Sequence, residues 1–265
     1  MRTKDEIIAD IELWAKERLA AGEETLYIGD RVSGVGYRKE ENENVIMASK
    51  KVIKAEAIPN PPPKPETRSP EPDWRSATDL PTLKSMISGC TECELYKTRT
   101  NFVFGVGNPN AKVMVIGEAP GKDEDEQGEP FVGRAGQLLN KMLIAINFPR
   151  EEVFIANILK SRPPGNRDPK PDEVAACEPY LFKQIEIIKP KMILCVGRIA
   201  GSNLLKLPDE SLAKMRGKVF DFMNAKVMVT YHPAALLRNP NWKVGAWEDL
   251  QKFRKLYDEM VGADS

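Results

Sequence analysis

Beyond residue 110 the apolar positions gather into four short runs: Lys112–Ile116 (KVMVI), Val153–Ile158 (VFIANI), Met192–Val196 (MILCV) and Lys226–Thr230 (KVMVT). Each is rich in Val, Ile and Met and lacks strict alternation, the pattern of strands buried on both faces. Between and after them, helical spacing runs over Ala135–Ile146, Pro171–Ile188, Arg198–Leu205 and Gly245–Met260. Strands alternating with helices at this interval predict an α/β fold. The expected architecture is an open, mainly parallel four-stranded sheet flanked by helices in three αβα layers. Its domain spans residues 82–265.

The N-terminal part reads differently. Apolar residues at 7, 8, 11, 14, 15 and 19 form a helical stripe within an extension over residues 1–58. Residues 59–81 are expected to be a Pro-rich linker, because Pro59 to Pro72 places seven prolines in fourteen positions. Proline restricts φ and removes amide donors, so such a stretch stays extended and solvated.

Composition narrows the classes. No run of about 18 apolar residues is present, which excludes a transmembrane helix. The N-terminus mixes charge with apolar residues, unlike a signal peptide. Four cysteines in 265 residues are too few for a secreted disulfide framework and point to a reducing, cytoplasmic compartment. The 39 basic and 39 acidic residues cancel, which argues against nucleic-acid binding by bulk positive field. Yet residues 1–80 hold 13 Lys+Arg and 16 Asp+Glu, a net of −3, so the remainder carries +3.

In an open parallel sheet, ligands bind beyond the carboxyl ends of the strands. Three unusual loops follow strands: Gly117 to Asp125 (GEAPGKDED), Lys160 to Asp168 (KSRPPGNRD) and Tyr231 to Pro240 (YHPAALLRNP). The first lacks the spacing of a nucleotide-binding P-loop or Rossmann turn. His232 is the only histidine, which excludes a His-rich metal site. At the end of a buried strand it is a candidate acid, or a donor to developing negative charge.

Together GEAPGKDEDEQGEPFVGRAGQLL, NILKSRPPGNRDPKPDEVAAC and HPAALLRNP resemble the type-4, iron–sulfur uracil-DNA glycosylases. The likeness covers roughly residues 84–260. It implies a DNA-repair hydrolase, acting on DNA at the nucleoid and working as a monomer. Such an enzyme flips deoxyuridine out of single- or double-stranded DNA and breaks its N-glycosidic bond. By resemblance, Gly117, Ala119, Phe131 and Asn157 form the uracil pocket, with Phe131 stacking on the base. The Asn157 amide can meet N3–H and O4 of uracil together, while cytosine presents the reverse pattern. His232 would then donate to O2 of the departing base.

The residue that positions water stays open at this stage. Many superfamily members have Asp where this chain has Ala119, which leaves Glu118 and the Glu124/Asp125 pair as candidates. Leu236, Leu237 and Arg238 match the loop that wedges into the duplex. Arg162 and Arg167, with Lys160 and Lys243, are expected on phosphates. Rival readings are a relative that traps uracil-DNA without turnover and a non-enzymatic repair or replication accessory factor using residues 1–58.

Cys90-Thr-Glu-Cys93 is a CxxC, compatible by itself with redox or zinc chemistry. The resemblance adds Cys177 as a further ligand of a [4Fe–4S] cluster, but Ser161 stands at the remaining position. The alternatives are a weak serine ligand, an external ligand, or a labile or absent cluster. Cys195, inside MILCV, is expected to be buried and inert.

Overall fold

In a computed structural model of the chain, residues 73–262 are described; the helix expected over 5–19 and the prolines of 59–72 lie outside them. The strands are β1 (Val106–Gly107), β2 (Val113–Gly117), β3 (Phe154–Asn157), β4 (Met192–Val196), β5 (Phe220–Phe222) and β6 (Ala225–Thr230). They form one six-stranded sheet in the order β1-β3-β2-β4-β6-β5. The four expected runs are its inner strands, all parallel. The four-stranded expectation is corrected at both edges, where β1 pairs antiparallel with β3 and β5 with β6. These edges are two and three residues long and partly exposed, too short to leave a periodic signal.

Because side chains alternate along a strand, the two faces feed two cores. Met114, Ile116, Ile193, Cys195, Val227 and Val229 pack against α1 (Leu80–Ile87), α4 (Pro171–Ile188) and α5 (Arg198–Leu204). On the other face Val113, Val115, Leu194 and Met228 meet α3 (Arg134–Ala145) and α8 (Lys243–Gly262). Both faces are covered, which is why every inner strand reads as a continuous apolar run. Shorter helices complete the chain: α2 (Lys122–Gln127), α6 (Leu212–Met215) and α7 (Pro233–Arg238). Among the described residues no helix is long and apolar enough to cross a membrane.

The packed region begins before residue 82. Asp79 caps α1, its Oδ1 accepting the Thr82 N–H at 2.8 Å. Ala77 and Leu80 are buried, and Trp74 meets Tyr180 edge-on with centroids 4.8 Å apart. Residues 74–81, expected in the linker, therefore belong to the folded unit.

Candidate active site at the strand ends

The connection after β2 carries α3 on one face of the sheet toward β3, and that after the adjacent β4 carries α5 on the other face toward β6. Adjacent strands whose connections leave on opposite faces open a crevice at their carboxyl ends. Gly117 and Asn157, paired in register, are the last residues of β2 and β3. At Gly117 a Cβ would lie 2.3 Å from Asn157 Oδ1 and 2.6 Å from the Phe131 ring. Only glycine admits both side chains.

Asn157 is 2 % exposed, yet its Oδ1 has no hydrogen-bond partner. An unsatisfied buried acceptor costs about 1–3 kcal/mol, so this atom is poised for a donor from outside the protein. Phe131 stands over the same spot in a left-handed conformation, φ 54°, which is strained for a bulky residue. Arg150 holds it there by donating to the carbonyls of Pro130 at 2.7 Å and Phe131 at 3.3 Å, and to Asn140 Oδ1 at 3.1 Å. Gly136 makes room from below, since a Cβ there would be 1.8 Å from the Phe131 carbonyl oxygen. Sequence reasoning missed Arg150, Asn140 and Gly136. Only the EPFVGRAG motif hinted at the last.

His232 closes the pocket, its ring centroid 5.7 Å from that of Phe131. It caps α7, with Nδ1 accepting the Ala234 N–H at 3.1 Å. That bond places the imidazole proton on Nε2. Burial lowers its pKa to about 4, helped by the nearby Arg238 charge, so at neutral pH His232 is an uncharged donor.

The acidic candidates separate. Glu118, half-buried at the end of β2, has its carboxyl raised to about 7 by burial and by Asp168, against the opposing effect of Arg198. Arg198 Nη2 lies 4.0 Å from Asp168 Oδ2, so three loops meet around Glu118. Glu124, by contrast, accepts the N–H groups of Val132 (3.0 Å), Gly133 (3.1 Å) and Gly121 (3.1 Å). It ties the Phe131 segment to the first loop, and its carboxylate oxygens are taken up by these three amides. Asp125 is buried on the N–H groups of Thr100 and Asn101. Ala119 sits half-buried against the core beside Glu118.

Several residues expected on DNA are buried or bonded within the protein. Leu236 is 2 % exposed within the core and has no free surface with which to wedge. Leu237 is half-buried and Arg238 exposed on the same turn. Lys160 is fully buried, its Nζ donating to the Asn157 carbonyl at 2.9 Å and Gln184 Oε1 at 2.7 Å, and burial lowers its pKa to about 8. It steadies the strand end that carries Asn157. Arg167 grips the buried Glu173 with two nitrogens, at 2.5 and 2.9 Å, and Arg162 bonds Asn166 at 2.8 Å.

The cysteine region lies on the other side of β3. Burial raises the Cys93 thiol and pushes that of Cys177 up to about 12, with the cysteine neighbours adding to both. Cys90, Cys93 and Cys177 thus share one neighbourhood, packed against one core. Cys177 Sγ accepts the Lys160 N–H at 3.1 Å and Cys90 Sγ accepts the Tyr180 hydroxyl at 3.2 Å. Ser161 is buried and its Oγ accepts from Arg99 at 3.1 Å. A four-cysteine cluster needs four thiolates; this chain brings three thiols and a hydroxyl already bonded to a guanidinium. Among the described residues no three or more His, Cys, Asp or Glu side chains are arranged around a metal-ion position. Cys195 is fully buried in β4 and its thiol is raised by burial alone, as expected.

Comparisons with known proteins identify the chain's family. The family model described as "Uracil DNA glycosylase superfamily" matches residues 104–251. The chain is 46 % identical over 177 residues to the type-4 uracil-DNA glycosylase of Archaeoglobus fulgidus, covering 64 % of this chain and 89 % of the relative. It is 45 % identical over 185 residues to that of Sulfurisphaera tokodaii, covering 67 % and 84 %. With that of Thermotoga maritima it shares 46 % over 158 residues, covering 59 % and 82 %. The matched segment spans both lips of the crevice and the histidine loop. On that match and these relatives, the chain belongs to the uracil DNA glycosylase superfamily.

Proposed function

We propose that this protein is a DNA-repair uracil-DNA glycosylase, a hydrolase that cuts the N-glycosidic bond of deoxyuridine and leaves an abasic site. The observation that carries the reading is the orphaned Oδ1 of buried Asn157 beneath the Phe131 ring. Uracil N3–H supplies the missing donor, and the amide N–H₂ can serve O4. Cytosine brings an acceptor and a donor in the reverse places, leaving both groups unpaired, an arrangement that discriminates strongly.

The Nε2–H of His232 serves O2, where charge builds as the base leaves. A neutral, preorganised donor of this kind stabilises the developing anion. Glu118, directly after Gly117 at the mouth of the crevice, is the group that orients or deprotonates water for attack on the sugar, a role that its raised carboxyl suits. Glu124 and Arg150 hold the Phe131 segment in place. Arg238 meets phosphate at the exposed rim.

Cys90, Cys93 and Cys177 are the residues that would hold an iron–sulfur cluster, whose contribution is to tie the segment before β1 to the loop after β3. The three thiols would supply three of its ligands, while Ser161, at the remaining position, accepts from Arg99. The segment over residues 1–58, with its expected repair or replication partner, lies outside the described residues.

A uracil-containing oligonucleotide, treated with enzyme and then alkali, tests the reading. Turnover with strand breaks at uracil positions is expected. A stable complex without turnover makes the protein a trap, and neither outcome makes it an accessory factor; both overturn the proposal.

A further inference from the structure

An aromatic ledge flanks the pocket. Tyr231, directly before His232, has the guanidinium of Arg216 4.1 Å from its ring centroid. It also stacks with Trp242, centroids 5.2 Å apart at 21°. Arg216 is anchored by Asp249 Oδ2 at 2.7 Å and the Gly245 carbonyl at 2.6 Å. Asp249 is 4 % exposed and also accepts the Thr230 hydroxyl at the end of β6. The ledge is therefore rooted in the strand that delivers His232. Trp242 itself remains 43 % exposed although part of its ring is stacked.

We propose that Trp242 is a stacking platform for an unpaired nucleobase next to the flipped deoxyuridine, in the strand that carries it. The inference rests on the uracil-DNA reading above and adds a second base-binding position to it. Flipping a nucleotide leaves its neighbours short of a stacking partner. An aromatic face accepts any base, at about 1–3 kcal/mol each. Within the histidine loop Leu236 is buried and Leu237 half-buried, so little aliphatic surface is left there to fill the space. Arg238, exposed on the same turn and close enough to depress His232 protonation, places the phosphate backbone beside the ledge. Continuity with the pocket and this basic rim favour a nucleobase over a peptide.

The test uses the full-length protein and oligonucleotides carrying 2′-fluoro-deoxyuridine, whose fluorine slows cleavage by opposing positive charge on the sugar. The nucleotide on each side of it is replaced in turn by 2-aminopurine, which reports stacking by fluorescence. With wild type, one flank changes on binding, and that change is lost in Trp242→Ala and retained in Trp242→Phe. Affinity falls about 5- to 100-fold in Trp242→Ala, and with ordinary deoxyuridine the loss appears in KM. Unchanged affinity, a flank signal that persists in Trp242→Ala, or a loss confined to kcat would each overturn the platform, the last by making Trp242 a prop for the His232 loop. Wild-type turnover on plain uracil-DNA is read in parallel, so failure of the underlying function is seen separately.

Discussion

The crevice and the neighbouring loop over residues 160–173 differ in how completely their polar groups are satisfied. Around the crevice, Asn157 keeps a buried acceptor without a partner, His232 keeps its Nε2 proton to give, and Glu118 titrates near neutrality. In the loop, Lys160 is capped by Asn157 and Gln184, Arg167 by Glu173, and Ser161 by Arg99. By charge count the loop is the better candidate for binding DNA. By unfilled valence the crevice is, because a group that already has its partner loses that bond before it can serve a ligand.

The largest effects should therefore follow loss of the unsatisfied groups. Glu118→Gln is expected to lower single-turnover cleavage by about 10²–10⁴-fold, and His232→Ala by about 10²–10³-fold, with folding intact by circular dichroism. Near-normal rates in both would remove the crevice from the chemistry. Asn157→Ala should also slow cleavage severely while narrowing discrimination between uracil and cytosine.

The pH profile sharpens the point. A water-activating carboxylate must be ionised, so activity should rise as pH increases through about 7, the value set for Glu118 by burial and Asp168 against Arg198. Asp168→Asn removes a like charge and moves this limb to lower pH, whereas Arg198→Ala moves it higher. His232, with its pKa lowered to about 4, stays neutral across the window and adds no limb there. The linkage for stability runs the opposite way: a raised carboxyl favours the fold below its unfolded value, and that contribution is lost as pH rises through about 7. Glu118→Gln should then melt higher than wild type at alkaline pH.

Smaller effects probe the loop. Arg167→Ala removes the ion pair of buried Glu173 and leaves it only the Lys170 N–H, so the thermal midpoint should fall while the salt dependence of DNA binding stays the same. A reduced salt slope would return Arg167 to the interface. Arg238→Ala should do the opposite, lowering the slope of log affinity against log salt by about one phosphate contact and sparing the melting temperature.

The sequence alone determined the sheet interior and which loops gather at its carboxyl edge. Four apolar runs became four parallel strands, because burial on both faces forces continuous hydrophobicity. GEAPG, the Asn157 strand end and HPAALL marked the candidate edge because strand ends in such sheets are where ligands meet backbone. Tertiary structure decided which neighbours each side chain finds. No local pattern shows that Glu124 is held by three amides, that Arg150 props Phe131, or that Leu236 faces the core rather than DNA. Those outcomes depend on contacts between distant segments, and a charge or a leucine looks the same in sequence whether its partner is protein, water or phosphate.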